Sequence, residues 1–366
     1  MTGNLWRLPG PASWLSAVLG DFDDGAFLVL RLPRTWSGSE LFEAFREARA
    51  SAWLELAEVS GDRQVAEELC DLAFGASTAE DALERLRSDG TVPWLRVTGP
   101  LDTEQLGALA EGHARLESTP AAPVVVEHVG PLTAPKLSAS PTLRVHSLYG
   151  VLTTLDTQVL LREMVPGLSM SRREEVAELA VHDLGLAVDL ARLEPASHDG
   201  YVNACVERAH ALGLGDTAPS LPNASQTPVR EPGAMDLQWQ AGAVDLFNGQ
   251  LVVHPGVAED REVNRRLWRG QIRALLPFFD EMRLALLDEM HRRGLYPVPS
   301  RGDAVELIDL LRALEASRDN QVLTEAARQL TRARNELAHL RLVDEGRREQ
   351  LREALRRARL PDLAGL

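Results

Sequence analysis

The first 150 residues alternate short, almost wholly apolar runs with amphipathic helical patterns, and this alternation restricts the fold more than any other feature. Ala26–Leu32, Trp94–Val97 and Pro123–Glu127 are typical of buried strands. Helical patterns run from Ser39 to about Val59 and from Ala79 to Ser88. Strands that are apolar on both faces occur where helices cover both sides of a parallel sheet. This part of the chain is therefore predicted to be an α/β domain with a mostly parallel sheet.

The rest of the chain is predicted to be mainly helical, in three parts. Apolar residues recur at helical spacing through a helical region at 151–215. Residues 216–256 are predicted to be a linker loop, rich in Pro, Ser, Thr and Asn, followed by a β-hairpin that turns at Asn248-Gly249. Residues 257–366 predict an all-α domain of four helices large enough to form its own core. These four helices are expected at Arg265–Arg292 with a kink at Pro277, Ala304–Leu314, Gln321–Leu340 and Gly346–Leu360.

Charge is distributed unevenly along the chain. The whole chain carries a net charge of −15, which argues against a general nucleic-acid binder. Residues 256–366 carry 21 Arg and 19 acidic residues, a net charge of +2, so the acidity lies in the preceding part. Lys136 is the single lysine. The excess of arginine fits either a GC-rich genome or an arginine surface that faces RNA.

Several classes of protein are disfavoured by what the sequence lacks. No run reaches the eighteen or so apolar residues that a membrane helix needs, and the N-terminus has no basic segment leading into an apolar stretch. Cys70 and Cys205 are far apart and have no metal-ligand spacing. A zincin His-Glu-x-x-His motif is absent as well. We therefore expect a cytoplasmic protein with no membrane partner, no metal site and no cofactor.

The best candidate for chemistry lies on the third helix of the C-terminal domain, where Arg334, Asn335 and His339 occur within six residues. Asn335 and His339 are four apart and share a helix face, whereas Arg334 and His339 are about 140° apart. Cleaving RNA without a metal needs a base, a cation for the phosphorane and an acid. One histidine cannot easily be both acid and base, so a symmetric dimer would have to bring two such helices together.

The run Arg334-Asn335-Glu336-Leu337-Ala338-His339, here called the RNELAH motif, resembles the motif of the HEPN superfamily of ribonucleases and interaction modules. The resemblance covers roughly residues 260–360. It implies a four-helix HEPN-like bundle, a dimer with two motifs facing one cleft, and a place in a prokaryotic antiphage or toxin–antitoxin system. In an active member Arg334 would bind phosphate, Asn335 would orient it and His339 would transfer protons.

A non-catalytic role of this motif also remains open. Arg334 could pair with an acid such as Glu325 or Asp344, while Asn335 and His339 satisfy a helix end. The protein would then be a non-catalytic assembly subunit that dimerises or binds a protein encoded nearby. An active NTPase is disfavoured, because the N-terminal domain lacks the lysine of a phosphate loop.

A segment after the first predicted strand stands where a nucleotide-binding loop would sit. Gly38 matches the phosphate-loop pattern, but Pro33 replaces its first glycine, Ser39 its lysine and Glu40 its hydroxyl residue. The later run Val124–His128 imitates an apolar strand that ends in an acid. The region resembles a degenerate P-loop ATPase-like domain in which hydrolysis is not expected. An ordinary α/β sheet with a polar turn explains the same residues.

Overall fold

The computed structural model describes residues 5–36, 40–60, 64–116, 122–130, 132, 143–194, 197–215, 219–221, 232–295, 305–317 and 320–360. The chain divides into two compact units. The first unit is Met1–Asp156 with Ala209–Val257, and the second unit is Thr157–Arg208 with Ala258–Leu366. No helix in the described ranges is long and apolar enough to cross a membrane.

A five-stranded parallel sheet forms the centre of the first unit. The strands follow the order β2-β3-β4-β1-β5, and each neighbouring pair is parallel. The α/β class predicted for this part of the chain is confirmed. The strands are β1 Phe27–Arg31, β2 Trp53–Ser60, β3 Thr91–Thr98, β4 Val124–Val129 and β5 Leu143–Ser147.

Helices cover the sheet, and their apolar side chains build its core. Leu69, Leu83 and Leu106 pack on one face against sheet residues such as Val29 and Val126. Each of these five side chains is at most 4% exposed, so this face is closed to water. The helices of this part are α1 Pro9–Asp23, α2 Leu41–Ala48, α3 Val65–Leu72, α4 Ala79–Ser88 and α5 Thr103–Arg115.

Sequence patterning misjudged one element of the sheet. The helical pattern expected from Ser39 to Val59 is wrong beyond α2, because Trp53–Ser60 forms the edge strand β2. Ala57 and Val59 are buried on either side of the exposed Glu58, which is the period of two of a strand. Pairing with β3 along the whole length of β2 stabilises the extended form. The residues of β3 that pair with β2 lie 38 positions later in the chain. A helical pattern, which is read from neighbouring residues, does not include them.

In its described residues, the middle of the chain contains five α-helices and a hairpin. Asn248 and Gly249 have positive φ angles of 50° and 74°, as a tight two-residue turn requires, so the predicted hairpin is confirmed. These elements are α6 Thr154–Met164, α7 Met170–Ala180, α8 Leu184–Ala191, α9 His198–Ala211, a short α10 Asp236–Ala241, β6 Val244–Phe247 and β7 Gln250–Val253.

The C-terminal part is helical, as predicted, and contains four helices in its described residues: α11 Asp260–Arg292, α12 Leu307–Ser317, α13 Gln321–Ala338 and α14 Glu345–Ala358. Helix α11 has 33 residues and continues through Pro277. Its second half shares a core with α12, α13 and α14, to which Phe279, Leu310, Leu330 and Leu351 contribute.

The compact units group the segments differently from the sequence-based division at 150, 215 and 256. Residues 157–208 join the C-terminal helices, and residues 209–257 join the sheet. Leu179 and Leu186 share a buried cluster with Val263 and Leu267 from the first half of α11. Gly270 lets the backbones of α11 and α7 approach closely, because a Cβ there would lie 2.6 Å from Cα of Glu175. The second unit is therefore larger than the predicted four-helix domain.

Candidate functional site

The RNELAH motif occupies the last turn of α13, and two side chains of α11 hold the chain there. Nε1 of Trp268 donates to the main-chain oxygen of Leu337 at 2.8 Å. Gln271 makes two bonds with the main chain of Val343: its Nε2 donates to the oxygen at 3.2 Å, and its Oε1 accepts from the N–H at 2.8 Å. The segment between α13 and α14 is thus bound at both ends to one helix.

Helix α13 ends at His339 in a Schellman arrangement. The N–H of Leu340 donates to the oxygen of Leu337 at 3.1 Å, and the N–H of Arg341 donates to the oxygen of Glu336 at 2.9 Å. This ending requires a left-handed residue, normally glycine, yet Leu340 fills the position with φ of 57°. The side chain of Leu340 is also 71% exposed. A leucine here costs conformational energy without the compensation of burial.

All three predicted site residues are accessible. Arg334, Asn335 and His339 are exposed to solvent, while Leu337 of the same motif is fully buried in the helical core. The motif therefore anchors itself through one apolar residue and presents its polar ones outwards. His339 is the residue at which α13 ends, and its N–H donates to the oxygen of Asn335 at 3.0 Å.

Arg334 forms an ion pair with Glu306, at 3.0 Å between Nη2 and Oε2. The sequence suggested Glu325 or Asp344 as a partner for such a pair, and both are engaged elsewhere. Glu325 accepts from Arg328 and Gln329, and Asp344 caps the start of α14. The side chains of Arg334 and Glu306 are 44% and 50% exposed, so the pair is open to solvent and easily exchanged.

A second cation lies close to this pair and was not recognised from the sequence. Nη1 of Arg283 donates to the main-chain oxygen of Val305 at 3.0 Å, directly before Glu306. Arg283 follows the buried Met282 on α11, 51 residues before Arg334, and its Nε lies 3.6 Å from Oδ1 of Asp280. Only the fold brings it to the start of α12, so no local pattern could have identified it.

A groove of about 610 Å³ borders the other side of the helix end. Trp268 and Leu340 give it apolar walls, and Asn264, Arg261 and Arg265 bring polar and cationic groups. Aromatic rings beside arginines are the usual means of holding single-stranded nucleic acid, because bases stack on the ring and guanidinium groups meet the phosphates. Glu259 and Glu262 also line the groove, and Glu262 lies 3.6 Å from Arg265.

One copy of this arrangement offers the imidazole of His339, the amide of Asn335 and the guanidinium group of Arg334 near the end of α13. That supplies charge stabilisation and a single group for proton transfer. A second copy would supply the other proton-transfer group. Within the described ranges, no cluster of three His, Cys, Asp or Glu could hold a metal ion.

In the region that resembles a P-loop protein, the acid Glu127 is engaged in structural contacts. Ser37, Gly38 and Ser39, in the segment compared with a phosphate loop, lie outside the described residues. Glu127 is fully buried and accepts from Nε1 of Trp94 at 2.9 Å and from Nε of Arg96 at 3.0 Å. Both donors hold this carboxylate inside the sheet, where a charge without partners would be costly.

The residues next to this acid and at the end of β1 are equally enclosed. Burial lowers the pKa of His128 to about 4, so the ring stays neutral while its Nε2 contacts the oxygen of Gly99 at 2.9 Å. At the end of β1, Arg31 is 2% exposed and forms an ion pair with Asp236 at 2.6 Å. The guanidinium group of Arg31 also lies over the ring of Trp239, at 5.3 Å.

No protein-family model and no curated protein sequence matches the chain. Among solved structures, the Holliday junction branch migration motor RuvB of Thermotoga maritima aligns with a TM-score of 0.32 and 12% identity. The alignment covers 68% of this chain and 91% of RuvB.

Proposed function

We propose that the second unit contains a HEPN-like module that cleaves RNA without a metal ion and acts as a homodimer. The observation that carries the proposal is the exposure of Arg334, Asn335 and His339 on a helix end that α11 fixes through Trp268. Their exposure leaves these groups accessible to a polymer, although Arg334 must first release Glu306. The resemblance of the motif to the HEPN superfamily supplies the reaction class.

The roles follow from the chemistry of each group. Arg334 releases Glu306 and binds the scissile phosphate in its place. Asn335 orients a phosphate oxygen. His339 of one copy takes the proton of the 2′-hydroxyl, and His339 of the second copy protonates the leaving 5′-oxygen. The RNA strand on either side runs into the groove between Trp268 and Leu340. The setting of this reaction is the cytoplasm of a prokaryote, in an antiphage or toxin–antitoxin system.

The test is RNA cleavage by the purified full-length chain in the presence of EDTA. Wild type cleaves a single-stranded RNA, and His339→Ala abolishes cleavage while its melting temperature stays within about 2 °C, as expected for an exposed position. His210→Ala, which removes another exposed histidine, leaves the rate unchanged. A shared site also predicts that activity per chain falls on dilution below the dissociation constant of the dimer.

A second function is favoured by the ion pair between Arg334 and Glu306. A guanidinium group that already has a carboxylate partner suits a non-catalytic assembly module, which dimerises or binds a protein encoded nearby. This candidate predicts intact RNA under every condition, including with that partner present. It also predicts that His339→Ala leaves the oligomeric state and partner binding unchanged, which scattering-coupled chromatography would measure.

A further inference from the structure

A second cavity lies within the second unit, away from the RNELAH motif. It has a volume of about 940 Å³ and is lined by residues of α7, α9, α11 and α14. Arg334, Asn335 and His339 are not among its lining residues. A volume of this size is typical of sites for small organic molecules.

Two buried donors in the cavity wall have no acceptor among the described residues. These are the hydroxyl of Tyr201, on a residue that is only 4% exposed, and Nε of Arg172. Burial raises the pKa of Tyr201 to about 12, so its hydroxyl keeps its proton at neutral pH. An unmet buried donor costs about 1–3 kcal/mol. Two such donors in one cavity wall indicate a ligand that brings hydrogen-bond acceptors.

Arg172 also forms no ion pair with an acid among the described residues. One of its Nη atoms donates to the main-chain oxygens of Leu190, at 3.2 Å, and Leu193. Its guanidinium group lies over the ring of Tyr201, at 6.0 Å. Carbonyl oxygens and a ring face hold the group in position and leave its positive charge for an anion.

Four acids also line the cavity: Glu175, Glu194, Asp344 and Glu345. Glu175 is buried and forms an ion pair with Arg348, and Glu345 forms one with Arg352. Glu194 is exposed. Asp344 accepts from the N–H of Arg347 as the cap of α14. Arg172 is therefore the lining arginine that forms no ion pair with an acid among the described residues.

The first turn of α14 adds main-chain donors at the same wall. Asp344 caps this 14-residue helix by accepting from the N–H of Arg347 at 2.7 Å. The preceding N–H groups, of Glu345 and Gly346, begin the helix and have no partner within it. Gly346 lines the cavity and has no side chain that would keep a ligand from the backbone. A helix N-terminus favours negative charge, and the capping carboxylate of Asp344 already supplies one there.

We infer that this cavity binds a small molecule that carries a phosphate group, through Arg172 and the hydroxyl of Tyr201. The phosphate oxygens supply the acceptors that both donors lack. Both donor atoms are closed to solvent, so their side chains must turn towards the cavity when the ligand binds. Because the cavity is much larger than a phosphate ion, the organic part of the ligand fills the remaining space. The inference does not depend on RNA cleavage, since no RNELAH side chain takes part.

The probes are inorganic phosphate, pyrophosphate and AMP, each compared with sodium chloride at matched ionic strength. Calorimetric titration of the full-length chain is expected to give saturable binding, tighter for AMP than for inorganic phosphate. Equal affinity for the two would assign the site to free phosphate. Binding of none of the three beyond the chloride control would overturn the inference.

Tyr201→Phe and Arg172→Gln decide whether the binding occurs at this site. Each is expected to weaken the affinity by about tenfold or more, the usual effect of losing one hydrogen bond to an anion. Without ligand, Tyr201→Phe is expected to melt at the same temperature as wild type or higher, because it removes an unmet donor. Tyr149→Phe, a buried tyrosine of the first unit, serves as the control. Wild-type affinity in Tyr201→Phe would overturn the assignment even if Arg172→Gln fails to fold.

Discussion

Nε1 of Trp268 donates a hydrogen bond to the main-chain oxygen of Leu337, which lies 69 residues later in the chain. Leu337 is the buried residue of the RNELAH motif, so a side chain of α11 fixes the turn that presents Arg334 and His339. The geometry of the motif is thus a property of the helical core and is set before any second copy or substrate arrives.

Trp268→Phe tests this link, because it keeps an aromatic ring and removes the donor. The oxygen of Leu337 loses its side-chain partner, and we expect the free energy of unfolding to fall by about 1–3 kcal/mol. RNA cleavage should fall with it, since the last turn of α13 is no longer fixed. Urea denaturation measures the free energy of unfolding. Trp53→Phe, at a position 72% exposed, is the control and should be neutral. Unchanged stability in Trp268→Phe would show that the bond contributes nothing.

Leu340→Gly should stabilise the protein, which is unusual for the removal of a leucine. The left-handed φ of 57° costs a leucine about 1 kcal/mol that glycine does not incur, and the exposed side chain contributes little burial. We expect a gain of up to about 1 kcal/mol in urea denaturation. Leu340→Ala keeps the strain and should show no gain. If the groove holds RNA, Leu340→Gly should nevertheless bind it more weakly, so stability and affinity would change in opposite directions.

Glu306→Gln should strengthen RNA binding, because it frees the guanidinium group of Arg334 from its acid. An exposed pair of this kind contributes about 0–1 kcal/mol, so we expect up to about fivefold tighter binding and little change in stability. Fluorescence anisotropy with a labelled RNA in the inactive His339→Ala background would measure it. Glu315→Gln is matched in exposure and removes the same charge, but Arg328 keeps its second acid, Glu325. Equal effects of the two substitutions would mean that only net charge matters.

Local patterns predicted the elements whose signals are local. The Asn248-Gly249 turn, helix α4 and the position of the RNELAH motif on the third C-terminal helix follow from neighbouring residues alone. Strand β2 was missed because its pairing with β3 outweighs a helical pattern. The cation of Arg283 and the pairing of Arg334 with Glu306 depend on contacts between separate helices. Such contacts leave no mark in a single sequence.

Gly270 is another position whose role appears only in the fold. A Cβ there would lie 2.6 Å from Cα of Glu175 and 2.8 Å from the oxygen of Glu174, and neither backbone atom can move freely. Gly270→Ala should therefore destabilise the protein by about 1–3 kcal/mol, despite the better helix propensity of alanine. Gly20→Ala, on a helix with no atom near the added carbon, should be neutral or gain up to about 1 kcal/mol. A neutral Gly270→Ala would contradict the close packing of α7 and α11.

Asp245, in strand β6 of the hairpin, should make the stability of the protein depend on pH. Its carboxyl accepts from the N–H groups of Gly150 at 2.9 Å and Leu246 at 2.7 Å, but burial outweighs these bonds and raises its pKa to about 7. In the unfolded chain the same group loses its proton near pH 3.9. Between these values only the folded state holds the proton, so stability falls as pH rises from about 4 to about 7.

Asp245→Asn isolates this effect, because an amide does not titrate. From pH 5 to pH 8, the free energy of unfolding of wild type should fall relative to that of Asp245→Asn. Urea denaturation at both pH values measures this difference. Asp199→Asn, whose parent side chain is 97% exposed, should show no such shift. A difference that is the same at both pH values would mean that Asp245 is already ionised at pH 5. The two main-chain donors would then outweigh its burial.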